Sequence, residues 1–254
     1  MSPMRGFICD LDRRTPVDSA ECVACAAAPF PPRGRRCRFT ASILEAMVEA
    51  DGARRDAGIS ATGLVGCLRQ TYLSITTEYY QHPIRLMPAL RGQLFHALFE
   101  RAERPGLVRE RRFAREIDGV VVTGQPDEID PSRRLLVDYK TKPRLPDAVS
   151  EAHVAQLNVY RWIVADGYDL ATGEPVNLAI DQLGIVFVTM HELTKRAVPL
   201  WDLAETEAWV RPRARALRAA LDGGDWPARV VPDPAQRSLC YDWCPHYRRC
   251  LDVP

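Results

Sequence analysis

The chain lacks any apolar run long enough to span a bilayer, and it has no internal repeat and no low-complexity tract. Its first residues lack the apolar core of a signal peptide. These absences predict a cytoplasmic protein with no place in a membrane. An excess of one charge is missing too: 34 Lys and Arg against 33 Asp and Glu leave a net charge of +1, so the total names no partner. The apolar share of 46% and the charged share of 26% are those of an ordinary globular protein. A length of 254 residues allows one main domain with small appendages.

Against that even background, arginines cluster at Arg33, Arg35, Arg36 and Arg38, at Arg109, Arg111, Arg112 and Arg115, and at Arg211, Arg213, Arg215 and Arg218. Such runs form a nucleic-acid footprint only if they converge on a site. The eight cysteines, in a reducing compartment, argue for metal rather than disulfides. They split into two sets of four. Cys9, Cys22, Cys25 and Cys37 lie at the front, where the Cys22-x2-Cys25 pair can point two thiolates at one ion. The segment is rich in Pro, Arg and Asp with little to pack, so it reads as a zinc-ribbon or knuckle appendage over residues 1–40 that needs Zn²⁺ to fold. Cys67, Cys240, Cys244 and Cys250 form the second set, a four-sulfur site stapling the tail to an early helix. Spacing alone leaves zinc and an iron–sulfur cluster both open.

Periodicity predicts helices over 42–55, from a Ser60 cap through Leu64, Cys67, Leu68 and Tyr72, and over 88–101, 151–165 and 203–221. Strands are expected at 113–117, 120–124, 135–139, 184–190 and 197–200. Asp130-Pro131-Ser132 reads as the turn that joins strands 120–124 and 135–139 in a hairpin. The tail from Asp225 reads as irregular.

Chemistry concentrates in the middle. Gly124-Gln125-Pro126-Asp127 puts an acid at a strand end. Asp138-Tyr139-Lys140 puts an acid and a lysine on one face of the next strand, and Gln156 and Tyr160 share a helix face. Two carboxylates suit Mg²⁺ or Mn²⁺. A lysine beside them can orient a water and offset charge that develops on a phosphodiester. His96 is the natural further ligand, with Glu100 a weaker candidate and His153 read as structural.

This ordered set resembles the PD-(D/E)XK nuclease superfamily, in its RecB-like branch. Gly124-Gln125-Pro126-Asp127 is similar to the first acidic motif, Asp138-x-Lys140 to the (D/E)-x-K motif, Gln156-x3-Tyr160 to the Q-x3-Y motif, and His96 to the histidine before them. The resemblance, over about residues 58–251, implies an α/β fold with a restriction-endonuclease-like mixed central sheet flanked by helices, making 41–254 the nuclease domain. It implies catalytic Asp127, Asp138, Lys140, Gln156 and Tyr160, with Mg²⁺ or Mn²⁺ held by His96, Asp127 and Asp138, and DNA as substrate. Cys67-Leu-Arg-Gln-Thr-Tyr72 with the three C-terminal cysteines resembles the iron–sulfur members, among them CRISPR-associated exonucleases and the AddB nuclease domain. That likeness implies a structural [4Fe–4S] cluster on Cys67, Cys240, Cys244 and Cys250. Three residues between Cys240 and Cys244, where many of the CRISPR group have two, set this chain apart.

The expected activity is exonucleolytic cleavage of single-stranded DNA or duplex ends. The alternatives are an end-processing factor that works within a protein complex in CRISPR adaptation or recombination, a non-catalytic DNA-binding protein on the same fold, and an endonuclease acting on structured DNA.

Overall fold

The computed structural model describes residues 4–28, 37–52, 58–100, 104–229 and 239–252. In chain order the first elements are β1 (Met4–Ile8), β2 (Pro16–Asp18), α1 (Ser19–Ala27), α2 (Ala41–Gly52), β3 (Ile59–Ser60), α3 (Ala61–Val65), α4 (Leu68–Thr76), β4 (Tyr79–Gln81), α5 (Pro83–Glu100) and β5 (Val108–Arg109). They are followed by β6 (Phe113–Ile117), β7 (Val120–Gly124), β8 (Glu128–Asp130), β9 (Leu135–Thr141), α6 (Glu151–Ala165), β10 (Gly167–Asp169), β11 (Pro175–Val176), β12 (Gln182–Val188), β13 (Leu193–Val198), α7 (Leu203–Leu221) and, after a wide helical turn at Leu239–Trp243, α8 (Tyr247–Leu251). Among the described residues no helix is long and apolar enough to cross a membrane.

Two compact units are formed: Met1–Asp56, Tyr72–Gln93 and Arg229–Pro254 make one, and Ala57–Thr71 and Leu94–Ala228 the other. In the first unit, β1 lies between β2, antiparallel, and β4, parallel. The N-terminal segment, expected to have little to pack, contributes Met4, Phe7 and Phe39 to a buried cluster with Leu44 and Met47 of α2. The C-terminal tail, expected to be irregular, has the turn and α8 after Pro234. His246 between them is buried, 3.0 Å from Ser74 Oγ and edge-on to the Tyr79 ring.

The second unit holds two five-stranded sheets, in the orders β11-β10-β6-β7-β3 and β13-β12-β9-β8-β5. The mixed α/β character matches the expectation, and β9 runs parallel to β12 over seven register pairs while its other neighbour, β8, is antiparallel. A single central sheet is not what forms. The chain leaves β7 at Gly124, passes Gln125-Pro126, and enters β8 in the other sheet. Proline has no N–H to continue the first ladder, so the crossing falls there.

The expected hairpin between 120–124 and 135–139 is therefore corrected. β7 pairs with β6, and β9 pairs with the short strand β8. The turn that joins β6 to β7 is Asp118-Gly119, with φ +51° and +74°, the left-handed pair a two-residue hairpin turn requires. The Ser60 helix also divides. Ser60 Oγ accepts from Gly63 N–H and caps α3, α3 stops at Val65, and Cys67 lies in the break before α4 rather than on one continuous helix.

Packing of α6 on the sheets fixes the site. Its Leu157, Val159, Trp162 and Ile163 are buried, and buried Asn158 ties it to the chain after β13 by donating to Pro199 O and accepting from Trp201 N–H. The helix begins at Ser150, whose Oγ accepts from His153 N–H.

The Asp118-Gly119 turn yields a direct check. A Cβ at Gly119 meets nothing within 4 Å, so the cost of Gly119→Ala is backbone strain alone. Unfolding stability should fall by about 1–2 kcal/mol, and Gly119→Asn, which tolerates the left-handed region, should cost less. Thermal unfolding of the three proteins measures both.

Candidate metal centre

Three strand ends and two helices bring the predicted residues together. Asp127 follows β7 and immediately precedes β8, Asp138 and Lys140 project from β9, Gln156 and Tyr160 from α6, and His96 from α5. Asp127 Oδ2 accepts from Tyr139 N–H, which locks the first acid onto the strand that carries the second. Asp138 is buried, with Oδ2 2.6 Å from Lys140 Nζ, yet that oxygen has no partner in hydrogen-bond geometry. A buried carboxylate oxygen left this way has unused capacity to bind a cation.

The sixth predicted position is reinforced by a residue the sequence reading missed. His96 Nδ1 lies 3.0 Å from Glu110 Oε1 and 3.5 Å from Asp127 Oδ1. Among the described residues, His96, Glu110 and Asp127 form a group whose ligand atoms lie within 4.8 Å of one another and which could hold a metal ion. Glu110 sits in no motif and in no regular element. It is placed by the short β5–β8 pairing, which brings Glu110 N–H to Asp127 O at 3.3 Å, and by Gln125, whose Nε2 donates to Glu110 Oε2 at 3.0 Å. Its backbone takes the left-handed region, φ +47°, to make the turn. Sequence gave no signal for it, because the pairing partner β8 is only three residues long. Carboxylate oxygens with one imidazole are a donor set that fits Mg²⁺ or Mn²⁺.

Electrostatics follow from the crowding. Burial, then the neighbouring Asp138 carboxylate, pushes Asp127 up to about 7, with His96 and Lys140 opposing. The hydrogen bond with Glu110 raises His96 above its ordinary value against the effect of burial, and Asp127 adds to the rise. Burial alone would favour a neutral Lys140, but Asp138, Tyr160 and Asp127 outweigh it and hold the ammonium charged. Burial keeps Tyr160 a neutral phenol, pushed up to about 12. Metal-free, the centre therefore retains protons that an ion would displace.

Gln156 Nε2 donates to Tyr160 Oη at 2.7 Å and to Thr62 Oγ1 at 3.2 Å, so the pair acts as one polar unit anchored to α3. Gly124 makes room for it: a Cβ there would lie 2.7 Å from Tyr160 Cδ1 and 2.9 Å from Ile163 Cδ1. His153 lies beside Ser150 Oγ at 3.0 Å and tilts on the Phe187 ring, and burial together with Lys140 and Lys142 lowers it to about 4. The side chain of Glu100, and residues Arg33, Arg35 and Arg36, lie outside the described residues.

Of the remaining arginines, many are engaged in ion pairs. Arg109 pairs with Glu128, Arg111 with Asp169, Arg115 with Asp166 and Glu207, Arg211 and Arg215 with Asp118, and Arg218 with Asp222. Arg213 instead donates to the Leu64 and Gly66 carbonyls just ahead of Cys67. Positive charge at the centre comes from Lys140, with Lys142 near enough to be lowered by it after the larger effect of burial.

Two outcomes are expected. Asp127 and His96 bind protons more tightly folded than unfolded, so the stability they add is present at low pH and lost as pH rises; for Asp127 the loss runs from about 4 to about 7. The metal-free chain should lose thermal stability across that range, Mn²⁺ should restore it above pH 7, and Asp127→Asn should flatten the slope. Glu110→Gln should weaken Mn²⁺ binding by about 10–100-fold in calorimetric titration with the fold intact, the range seen when a group supporting a metal site is removed.

The crystal structure of SSO0001 superimposes with a TM-score of 0.51 at 19% identity, covering 72% of this chain and 85% of that one, a likeness of fold. The crystal structure named "Putative exonuclease", from Eubacterium rectale, covers 74% of this chain and 78% of its own at 17% identity and a TM-score of 0.34. No curated protein matches. The model of the PD-(D/E)XK nuclease superfamily matches residues 96–251, well over half of the chain. The chain belongs to the PD-(D/E)XK nuclease superfamily.

Proposed function

We propose that this protein is a Mg²⁺- or Mn²⁺-dependent deoxyribonuclease of the cytoplasm that degrades single-stranded DNA or duplex ends as an exonuclease, with residues 41–254 as its nuclease domain. The observation that carries the reading is the convergence of Asp127, Asp138 and Lys140 on one buried centre, with the Asp138 Oδ2 left without a hydrogen-bond partner. His96, Glu110 and Asp127, with Asp138 as a further ligand, would hold the ion. When bound it would supply Lewis acidity and a lowered pKa of water.

The chain's own groups do the rest. Lys140 keeps its proton, orients the attacking water and offsets charge on the phosphoryl oxygens. Neutral Tyr160, its oxygen accepting from Gln156, keeps its own O–H to offer the phosphate backbone. Contacts of this kind read phosphate rather than bases, so sequence preference is slight and binding depends on salt.

A structural [4Fe–4S] cluster with ligands Cys67, Cys240, Cys244 and Cys250 belongs to the same reading. What supports it is the four-thiolate set itself, together with local order at each end. Cys67 O accepts from Thr71 N–H at the start of α4, and the Tyr241 and Tyr247 rings, 4.4 Å apart, flank Cys240 and Cys244. Hydrolysis needs no electron transfer, so the cluster's role is to hold the fold. A second reading, end processing that requires a partner protein, has the same centre and differs only in needing that partner for turnover.

The test is digestion of end-labelled single-stranded DNA by anaerobically purified protein with Mn²⁺, beside Lys140→Ala and a covalently closed circle. Wild type should release nucleotides from ends and spare the circle, and Lys140→Ala should lose at least about 10²-fold in rate. Cleavage of the circle would replace exonuclease by endonuclease. No digestion by a chain that carries its iron would leave the partner-dependent or non-catalytic reading.

A further inference from the structure

The nuclease centre leaves four thiols unused. They stand at positions 9, 22, 25 and 37, all within the first unit. β1 ends at Ile8, and Cys9 opens a tight turn, donating its N–H to Thr15 O at 2.8 Å while its carbonyl accepts from Arg13 N–H at 2.9 Å. The turn returns the chain along β2 directly into α1. Gly6 of β1 passes so close to that junction that an added Cβ would lie 2.8 Å from the Asp18 Cα and 2.9 Å from Ser19 N. Ser19 Oγ also donates to Arg5 O at 3.1 Å. α1 is thus pinned to β1 at its first residue, and Cys22 and Cys25, three apart, lie one turn along it on a shared face.

The fourth thiol is fixed from the other side. Arg38, next to Cys37, grips the carboxylate of Asp10, next to Cys9, with Nε donating to Oδ2 at 3.0 Å and an Nη to Oδ1 at 2.6 Å. This fork between the neighbours of two cysteines holds Cys9 and Cys37 in register. Cys22 and Cys37 also pack on the same apolar cluster of Met4, Phe7, Phe39, Leu44 and Met47.

We propose that Cys9, Cys22, Cys25 and Cys37 form a tetrathiolate Zn²⁺ site, separate from the nuclease centre, that closes the first unit. Binding converts four thiols to thiolates, releases four protons, and leaves a complex of net charge −2. Counter-charge is in place. Arg38 lies next to Cys37 in the chain and interacts with it electrostatically. A cation beside a thiolate favours the charged sulfur over the protonated one. The role is structural. It supplements, for a segment whose described residues before α2 bury Met4, Phe7 and Phe39, the small core that so short a stretch can build.

Metal content and X-ray absorption of the full chain test this independently of any nuclease activity. Wild type should carry about one Zn²⁺ per chain, in a shell of sulfur only at about 2.3 Å. The Cys22→Ser/Cys25→Ser protein should lose that zinc with its iron and its Mn²⁺-dependent digestion of DNA unchanged. A wild-type chain without zinc, a zinc shell containing nitrogen or oxygen, or zinc retained in the double variant would overturn the site. Loss of iron in that variant would equally overturn it, by assigning these thiols to a cluster. Should the variant fail to fold, the absorption spectrum of the wild-type chain decides alone. Loss of digestion by wild type with the sulfur-only zinc shell present would strike the nuclease reading and leave this one standing.

Discussion

Two carboxylates that cannot comfortably ionise together are the constraint on which the nuclease unit is built. Asp127 and Asp138 are brought into mutual reach at a largely buried place, where Lys140, His96 and the Tyr139 N–H offset them. An apolar pair in their place would cost the fold less. The arrangement is tolerable because every other element around it is committed to packing. α6 buries most of its length, β9 is paired along its whole run with β12 and over its first three residues with β8, and the stiff Gly124-Gln125-Pro126 crossing passes from one sheet to the other at the first acid. Strain is concentrated where a cation would relieve it.

The same logic separates the two kinds of metal chemistry assigned to the chain. At the nuclease centre the donors are hard oxygens and one imidazole, partly open, and matched to an ion that exchanges ligands. In the proposed N-terminal site the donors would be four sulfurs, set by a turn, a helix and an arginine fork, suited to an ion that stays. Soft and hard ligands would then stand on separate scaffolds, which limits competition between two ions.

Much of this was legible in the sequence, and the exceptions have a physical pattern. α6 and α7 begin and end where their periodicity places them, because each has a polar cap and a long apolar face. Asp138 and Lys140 share a face because a strand leaves them no choice. The hairpin was misassigned because Asp130-Pro131-Ser132 is a persuasive turn, while Asp118-Gly119, the two-residue turn with both φ positive, was passed over. Once β8 was missed, Glu110 was invisible. Its place depends on a two-residue ladder, and no local pattern encodes a partner 17 positions away. Long regular elements announce themselves, and short pairings that position single side chains do not.

The bond from Tyr139 N–H to the Asp127 carboxylate carries a final consequence. The first acid is held by the main chain of the motif's middle residue, not by that residue's side chain. As far as this bond is concerned, evolution is free to write nearly any amino acid between the second acid and the lysine. Proline alone is barred, since it would remove the one donor that aims Asp127. In this chain the motif's middle residue thus has two separate tasks, its backbone aiming Asp127 and its side chain packing beside Leu135, Val137 and Val186.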